Sequence, residues 1–91
     1  VNRLHKKASS LVKAGAQSAI MKVIEEELTP EELSVYRRGR NAHSPTMAKH
    51  ATMADYRRAT GFEALMGYLY LKEDYTRMLT LVRMGIGEDR L

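Results

Sequence analysis

Between Leu4 and about Glu27, apolar residues recur at steps of three and four: Leu4, Ala8, Leu11, Val12, Ala16, Ala19, Ile20, Val23 and Ile24. That spacing predicts one long amphipathic helix. Gly15 lies in its interior, where it costs roughly 1 kcal/mol relative to alanine, so the pattern allows a kink or break near Ala14 and Gly15. Glu25, Glu26 and Glu27 fall at the C-terminal end, where the helix dipole disfavours negative charge and fraying is expected.

Thr29-Pro30-Glu31-Glu32 is a helix start signal, with threonine as N-cap, proline at the first helical position and a glutamate closing a capping box. The helix it opens carries Leu33 and Tyr36 inward and is expected to stop at Gly39, a residue suited to a left-handed C-terminal cap. Periodicity then disappears from about Arg40 to Ala51, a polar, basic stretch with a Ser-Pro pair that reads as a loop. Thr52 and Asp55 mark a third helix running to about Leu71, whose second half from Phe62 is apolar nearly all round, as in a central helix. Asp74 is a cap for a fourth, with Tyr75, Met78, Leu79 and Val82 toward the core and Leu81 as a further candidate, ending near Gly85. No segment sustains a period of two, so the fold class is all-α.

With 91 residues the chain has room for one domain and no second core. It has no cysteine, which removes disulfides, thiolate nucleophiles and cysteine-based zinc sites. His5, His43 and His50 lack the four-residue spacing of a helical metal pair. No apolar run is long enough to span a membrane and no leader pattern opens the chain, so the expected compartment is the cytoplasm.

Charge changes the picture more. Residues 1–13 hold Arg3, Lys6, Lys7 and Lys13 with no acid, residues 14–33 set five glutamates against Lys22, and residues 34–60 set five arginines and Lys49 against Asp55 alone. Two basic zones flank an acidic one. Brought together, they would form a polyanion-binding surface, because neutralised phosphates release condensed counterions. Within the second zone, Arg37-Arg38-Gly39-Arg40-Asn41 combines planar donor forks with an amide and a glycine that permits close approach. Nucleic-acid contact is weighed slightly above simple compensation of a helix dipole. Lys6, Lys7, Lys49, Arg57 and Arg58 extend the same set of candidates. The long proline-containing loop does not suit the short turn of a helix-turn-helix DNA binder.

Glu63 is the one charged residue between Phe62 and Leu71, on the helix face shared by Tyr56, Thr60, Gly67 and Tyr70. A lone carboxylate in apolar surroundings must be paired, protonated, placed at a cleft or bound to metal. On pattern alone, pairing with an arginine is favoured over metal ligation, since magnesium normally takes several oxygen ligands.

The stretch Ala59-Thr60-Gly61-Phe62-Glu63-Ala64-Leu65-Met66-Gly67-Tyr68-Leu69-Tyr70-Leu71 resembles the second catalytic helix of ribonuclease III domains. Leu4 to Ser9, Val12 to Gln17, and Arg38-Gly39-Arg40-Asn41-Ala42 followed by a basic loop and Tyr56-Arg57 look, in the same order, like the Mini branch of that family. The resemblance implies a helical endoribonuclease that cleaves double-stranded RNA as a homodimer with magnesium and matures the ends of 23S ribosomal RNA precursor. It implies Glu63 as catalytic, metal-binding carboxylate, while the basic zones offer Lys6, Lys7, Arg38, Arg40, Asn41, Lys49, Arg57 and Arg58 as the candidate RNA contacts. Thr60 stands where larger relatives carry an aspartate, which argues against a metal role for it. The family's Gly-Asp-Ala signature helix has no counterpart, so the chain is expected to be a partial domain, residues 1–91, with a flexible basic loop about 40–51 and an incomplete active site. The competing expectation is a non-catalytic helical RNA-binding or ribosome-associated module with Glu63 as a structural ion pair.

Overall fold

A computed structural model describes residues 14–42 and 53–87. Lys6, Lys7, Lys49, most of the loop and the N-terminal part of the first stripe lie outside the described residues. What is described is entirely helical: α1 over residues 14–24, a 3-10 turn at Glu25–Glu27, α2 at Pro30–Asn41, α3 at Met53–Leu71 and α4 at Tyr75–Ile86. None of these helices is long and apolar enough to cross a membrane.

The boundaries follow local chemistry. At α2, the Thr29 hydroxyl accepts from the Glu32 amide while the Glu32 carboxylate accepts from the Thr29 amide, so the capping box is closed in both directions. At α4 the Asp74 carboxylate accepts from the Arg77 amide. Between α3 and α4 the chain reverses through a Schellman arrangement: the Asp74 amide donates to the Leu69 carbonyl and the Glu73 amide to the Tyr70 carbonyl. Glu73 holds the left-handed position there, with φ of 60°. The run of three glutamates after α1 tightens into the 3-10 turn, and the Leu28 amide donates to the Glu25 carbonyl.

Met21, Ile24, Tyr36, Phe62, Leu65, Leu69 and Leu81 form the buried core, drawn from all four helices. Gly39 is part of this packing and not a cap. The α2 helix runs through it to Asn41, two residues past the expected end, so Arg40 and Asn41 are helical and not the start of the loop. A Cβ on Gly39 would lie 2.5 Å from the Ala64 Cβ and 3.1 Å from the Gly61 Cα, and a Cβ on Gly61 would lie 2.6 Å from the Tyr36 ring. The two glycines let the α2 and α3 backbones approach closely, the ordinary role of small residues at a helix crossing.

Two buried faces are rotated from those the periodicity predicts. In α1 the buried positions are Gln17, Ser18, Met21 and Ile24, whereas Ala16, Ala19 and Val23 are exposed. In α4 the fully buried residue is Leu81, and Tyr75 and Leu79 are exposed. The α3 helix is buried along Ala59, Gly61, Phe62, Leu65 and Leu69, but its other side, with Glu63, Gly67, Tyr70 and Leu71, faces solvent.

Candidate nucleic-acid interface

The C-terminal end of α2 and the N-terminal part of α3 enclose a cleft of about 330 Å³ lined by Glu25, Tyr36, Arg40, Asn41, Ala54, Arg57 and Arg58. Four of the residues singled out from sequence for RNA contact, Arg40, Asn41, Arg57 and Arg58, thus meet in one place. Three guanidinium groups face one lining carboxylate, that of Glu25. Arg38 is exposed on α2 but outside the cleft.

Tyr36 forms the wall behind Arg40. It is 1% exposed, and the Arg40 guanidinium lies over its ring at 5.6 Å from the centroid, a cation-π arrangement. Burial, reinforced by the Glu25 charge, pushes the Tyr36 phenol above its ordinary range, against the opposing pull of Arg40 and Arg58. Arg58 is held from the other side. Its Nη1 donates to the Ser18 hydroxyl at 3.0 Å and to Asp55 Oδ1 at 3.3 Å, and the Ser18 hydroxyl donates to the same Asp55 oxygen at 2.7 Å. Arg57 is exposed.

Glu63 stands apart from this cleft. It follows Arg58 by five positions and Arg57 by six, which places it about 120–140° around the helix and about 8 Å along it. It is exposed and makes no ion pair among the described residues, so pairing with an arginine, the reading that pattern alone favoured, does not hold within the described structure. The buried carboxylate that does pair with an arginine is Glu32: Arg77 Nε and Nη2 donate to its two oxygens at 2.8 and 2.9 Å. A Cβ on Gly67, one turn after Glu63, would touch nothing within 4 Å, so the surface there is open. The Thr60 hydroxyl donates to the Tyr56 carbonyl at 2.9 Å, back into its own helix.

Among the described residues no group of three or more histidine, cysteine, aspartate or glutamate side chains is placed to hold a metal ion. These residues therefore do not by themselves fit a divalent cation; Glu63 offers one oxygen-donor group of a site that other ligands would have to complete. A second, more open cleft of about 620 Å³ lies beside the start of α2, lined by Thr29, Glu31, Glu32, Tyr68, Lys72 and Arg77 among others. There Tyr68 is hydrogen-bonded to Glu31, and Lys72 lies 4.9 Å from the Tyr68 ring centroid.

The described helices thus place a basic cleft on one side of α3 and a solvent-open carboxylate on the other. The ribonuclease III domain family matches residues 1–74, and the chain belongs to that family. At closer range the chain is similar to proteins named Mini-ribonuclease 3. It is 48% identical over 86 residues to the one from Clostridium tetani, covering 94% of the chain and 57% of that relative. Those from Streptococcus pneumoniae (46% over 83 residues, 89% and 65%) and Brevibacillus brevis (48% over 84 residues, 92% and 63%) are similar to the same degree. The chain spans about three-fifths of the length of these relatives.

Proposed function

We propose that this chain is part of an endoribonuclease that hydrolyses phosphodiester bonds of double-stranded RNA, with the 23S ribosomal RNA precursor as its substrate. The observation that carries the reading is the placement of Glu63. Within residues 59–71, the stretch that resembles the second catalytic helix of the family, the one carboxylate is turned to solvent beside the open surface at Gly67. A carboxylate with no structural partner among the described residues is free to serve as a ligand. In this reading Glu63 contributes one oxygen-donor group to a magnesium ion whose other ligands lie outside the described residues. The ion supplies an activated water and charge stabilisation when bound. The chain's own part is to hold that carboxylate on a rigid helix and to grip the RNA backbone with Arg38, Arg40, Asn41, Arg57 and Arg58, joined by Lys6, Lys7 and Lys49.

The active form in this reading is a homodimer working in the cytoplasm. The surface around Tyr70, Leu71, Tyr75 and Leu79, each more than half exposed, supports a protein partner, because contiguous apolar surface is normally covered. One observation favours a second reading, a helical RNA-binding module without cleavage: the described residues bring together no group of three or more histidine, aspartate or glutamate side chains that could hold a metal ion.

Cleavage of end-labelled double-stranded RNA by the whole protein of which this chain is part, in the presence of magnesium, separates the two. Cleavage by that wild-type protein that is abolished by Glu63→Gln, with duplex binding retained, supports the nuclease reading. Near-wild-type cleavage by Glu63→Gln would remove Glu63 from the site, and magnesium-independent binding with no cleavage supports the binding module.

A further inference from the structure

The Arg40, Arg57 and Arg58 cleft lies on the opposite flank of α3 from Glu63, so a phosphate held in it is not the phosphate presented to Glu63. At about 330 Å³ the cleft sits at the low end of the size range for small-molecule pockets, suited to one phosphate group and its immediate neighbours and not to a duplex. Two of its three arginines are held from behind. Arg40 rests on the face of the buried Tyr36 ring. Arg58 is held through Nη1 by Asp55 and by Ser18, which is 1% exposed. Guanidinium groups already fixed in place lose less freedom when an anion arrives, which favours a site over a diffuse basic surface.

We infer that this cleft is a remote seat for a single backbone phosphate of duplex RNA, with Arg40, Arg57 and Arg58 as its ligands and Ser18 and Asp55 as positioning residues for Arg58. The inference rests on the duplex-RNA reading above and adds a division of labour to it: the seat determines affinity and register on the strand, and the Glu63 side determines turnover.

The test is fluorescence anisotropy of the full chain with a short labelled RNA duplex, without divalent cations, across a range of salt concentration. Arg57→Gln, an exposed change that leaves the core untouched, should weaken binding roughly tenfold. It should also reduce the slope of log K against log salt by about 0.9, the contribution of one phosphate contact. In cleavage assays of the whole protein it should raise KM more than it lowers kcat. Asp55→Asn separates positioning from net charge. Removal of a negative charge near a polyanion site tightens binding if only the field matters, whereas loss of Arg58's anchor weakens it; weakening is expected, and tightening would overturn the positioning role. Inorganic phosphate at low millimolar concentration, added against chloride at matched ionic strength, should not displace the duplex, because a single free anion lacks the strand's other contacts; displacement at that concentration would assign the seat to a free anion and overturn the strand assignment. If Arg57→Gln binds duplex with unchanged affinity and slope, the seat is wrong while the RNA reading stands. If the wild-type chain binds no duplex at all, it is the RNA reading that fails.

Discussion

Removing Arg77 should unlock the packing of α4 against the rest of the domain. Glu32 is 5% exposed, and each of its carboxylate oxygens accepts from the Arg77 fork, while Oε1 also accepts from the Thr29 amide and Arg77 Nη2 reaches the Glu27 carbonyl at 3.0 Å. One guanidinium therefore joins the 3-10 turn, the start of α2 and the first turn of α4. Arg77→Met keeps the aliphatic stem and leaves a nearly buried carboxylate with the Thr29 amide as its remaining donor among the described residues. Breaking a fully buried pair costs about 3–5 kcal/mol; because the Arg77 side chain keeps 26% of its exposure, we expect about 2–3 kcal/mol. For a domain of this size that lowers the thermal midpoint by at least about 8 °C. The pH dependence carries a sign. The hydrogen bonds from Arg77, helped by those from Thr29 and opposed by burial, hold the Glu32 carboxyl below its ordinary range. The stabilisation is thus fully present above the unfolded carboxyl's pKa, about 4.3, and is lost as pH falls through the lower folded value. Urea denaturation followed by helical circular dichroism, at pH 7 and in steps from pH 5 to 3, measures both quantities. The wild-type advantage over Arg77→Met should shrink across that acid range. A cost below about 0.5 kcal/mol at pH 7, or a gap that stays constant with pH, would refute the reasoning.

Gly61→Ala places a methyl 2.6 Å from the buried Tyr36 ring and 2.9 Å from the Tyr36 carbonyl. Overpacking should outweigh the roughly 1 kcal/mol that alanine gains as a helix former, for a net loss of about 1–2 kcal/mol by urea denaturation; a stabilised variant would show that α2 and α3 do not cross this closely. Because Tyr36 backs Arg40, the same variant should also weaken duplex binding. Glu73→Gly removes the side chain from the left-handed position of the α3–α4 reversal and should raise stability by about 1 kcal/mol, and an unchanged thermal midpoint would contradict the φ of 60° there.

Helix existence and several ends were legible because their causes are local. The Thr29 capping box and the Asp74 cap each involve residues three apart, and both form as their spacing predicts. What was not legible depends on partners far along the chain. Gly39 carries the same local signal whether it ends a helix or admits a neighbour, and only the presence of Ala64 and Gly61 against it decides for packing. The α1 face was misassigned because periodicity counts apolar residues, whereas Ser18 is buried through its hydroxyl's pairing with Asp55, 37 positions away. The stripe therefore turned toward Ala16, Ala19 and Val23, which the described structure leaves in solvent.

The two glutamates show why the candidate site was only half legible. Glu32 sits in a polar stretch and is buried; Glu63 sits in an apolar stretch and is exposed. Sequence neighbours of a helical residue lie about 100° away around the axis, so they report little about what faces it, and the arginine that makes Glu32 affordable to bury is 45 positions away. Apolar neighbours around an exposed carboxylate carry a different meaning. On the outer side of α3, Gly67, Tyr70 and Leu71 continue the face that holds Glu63, and none of the described helices covers them. In the proposed reading this is the surface that a partner chain covers, with Glu63 at its edge. In the proposed reading, the exposure that leaves Glu63 without an ion pair among the described residues keeps it available as a ligand, and the basic cleft on the opposite flank grips the strand and takes no part in the reacting centre.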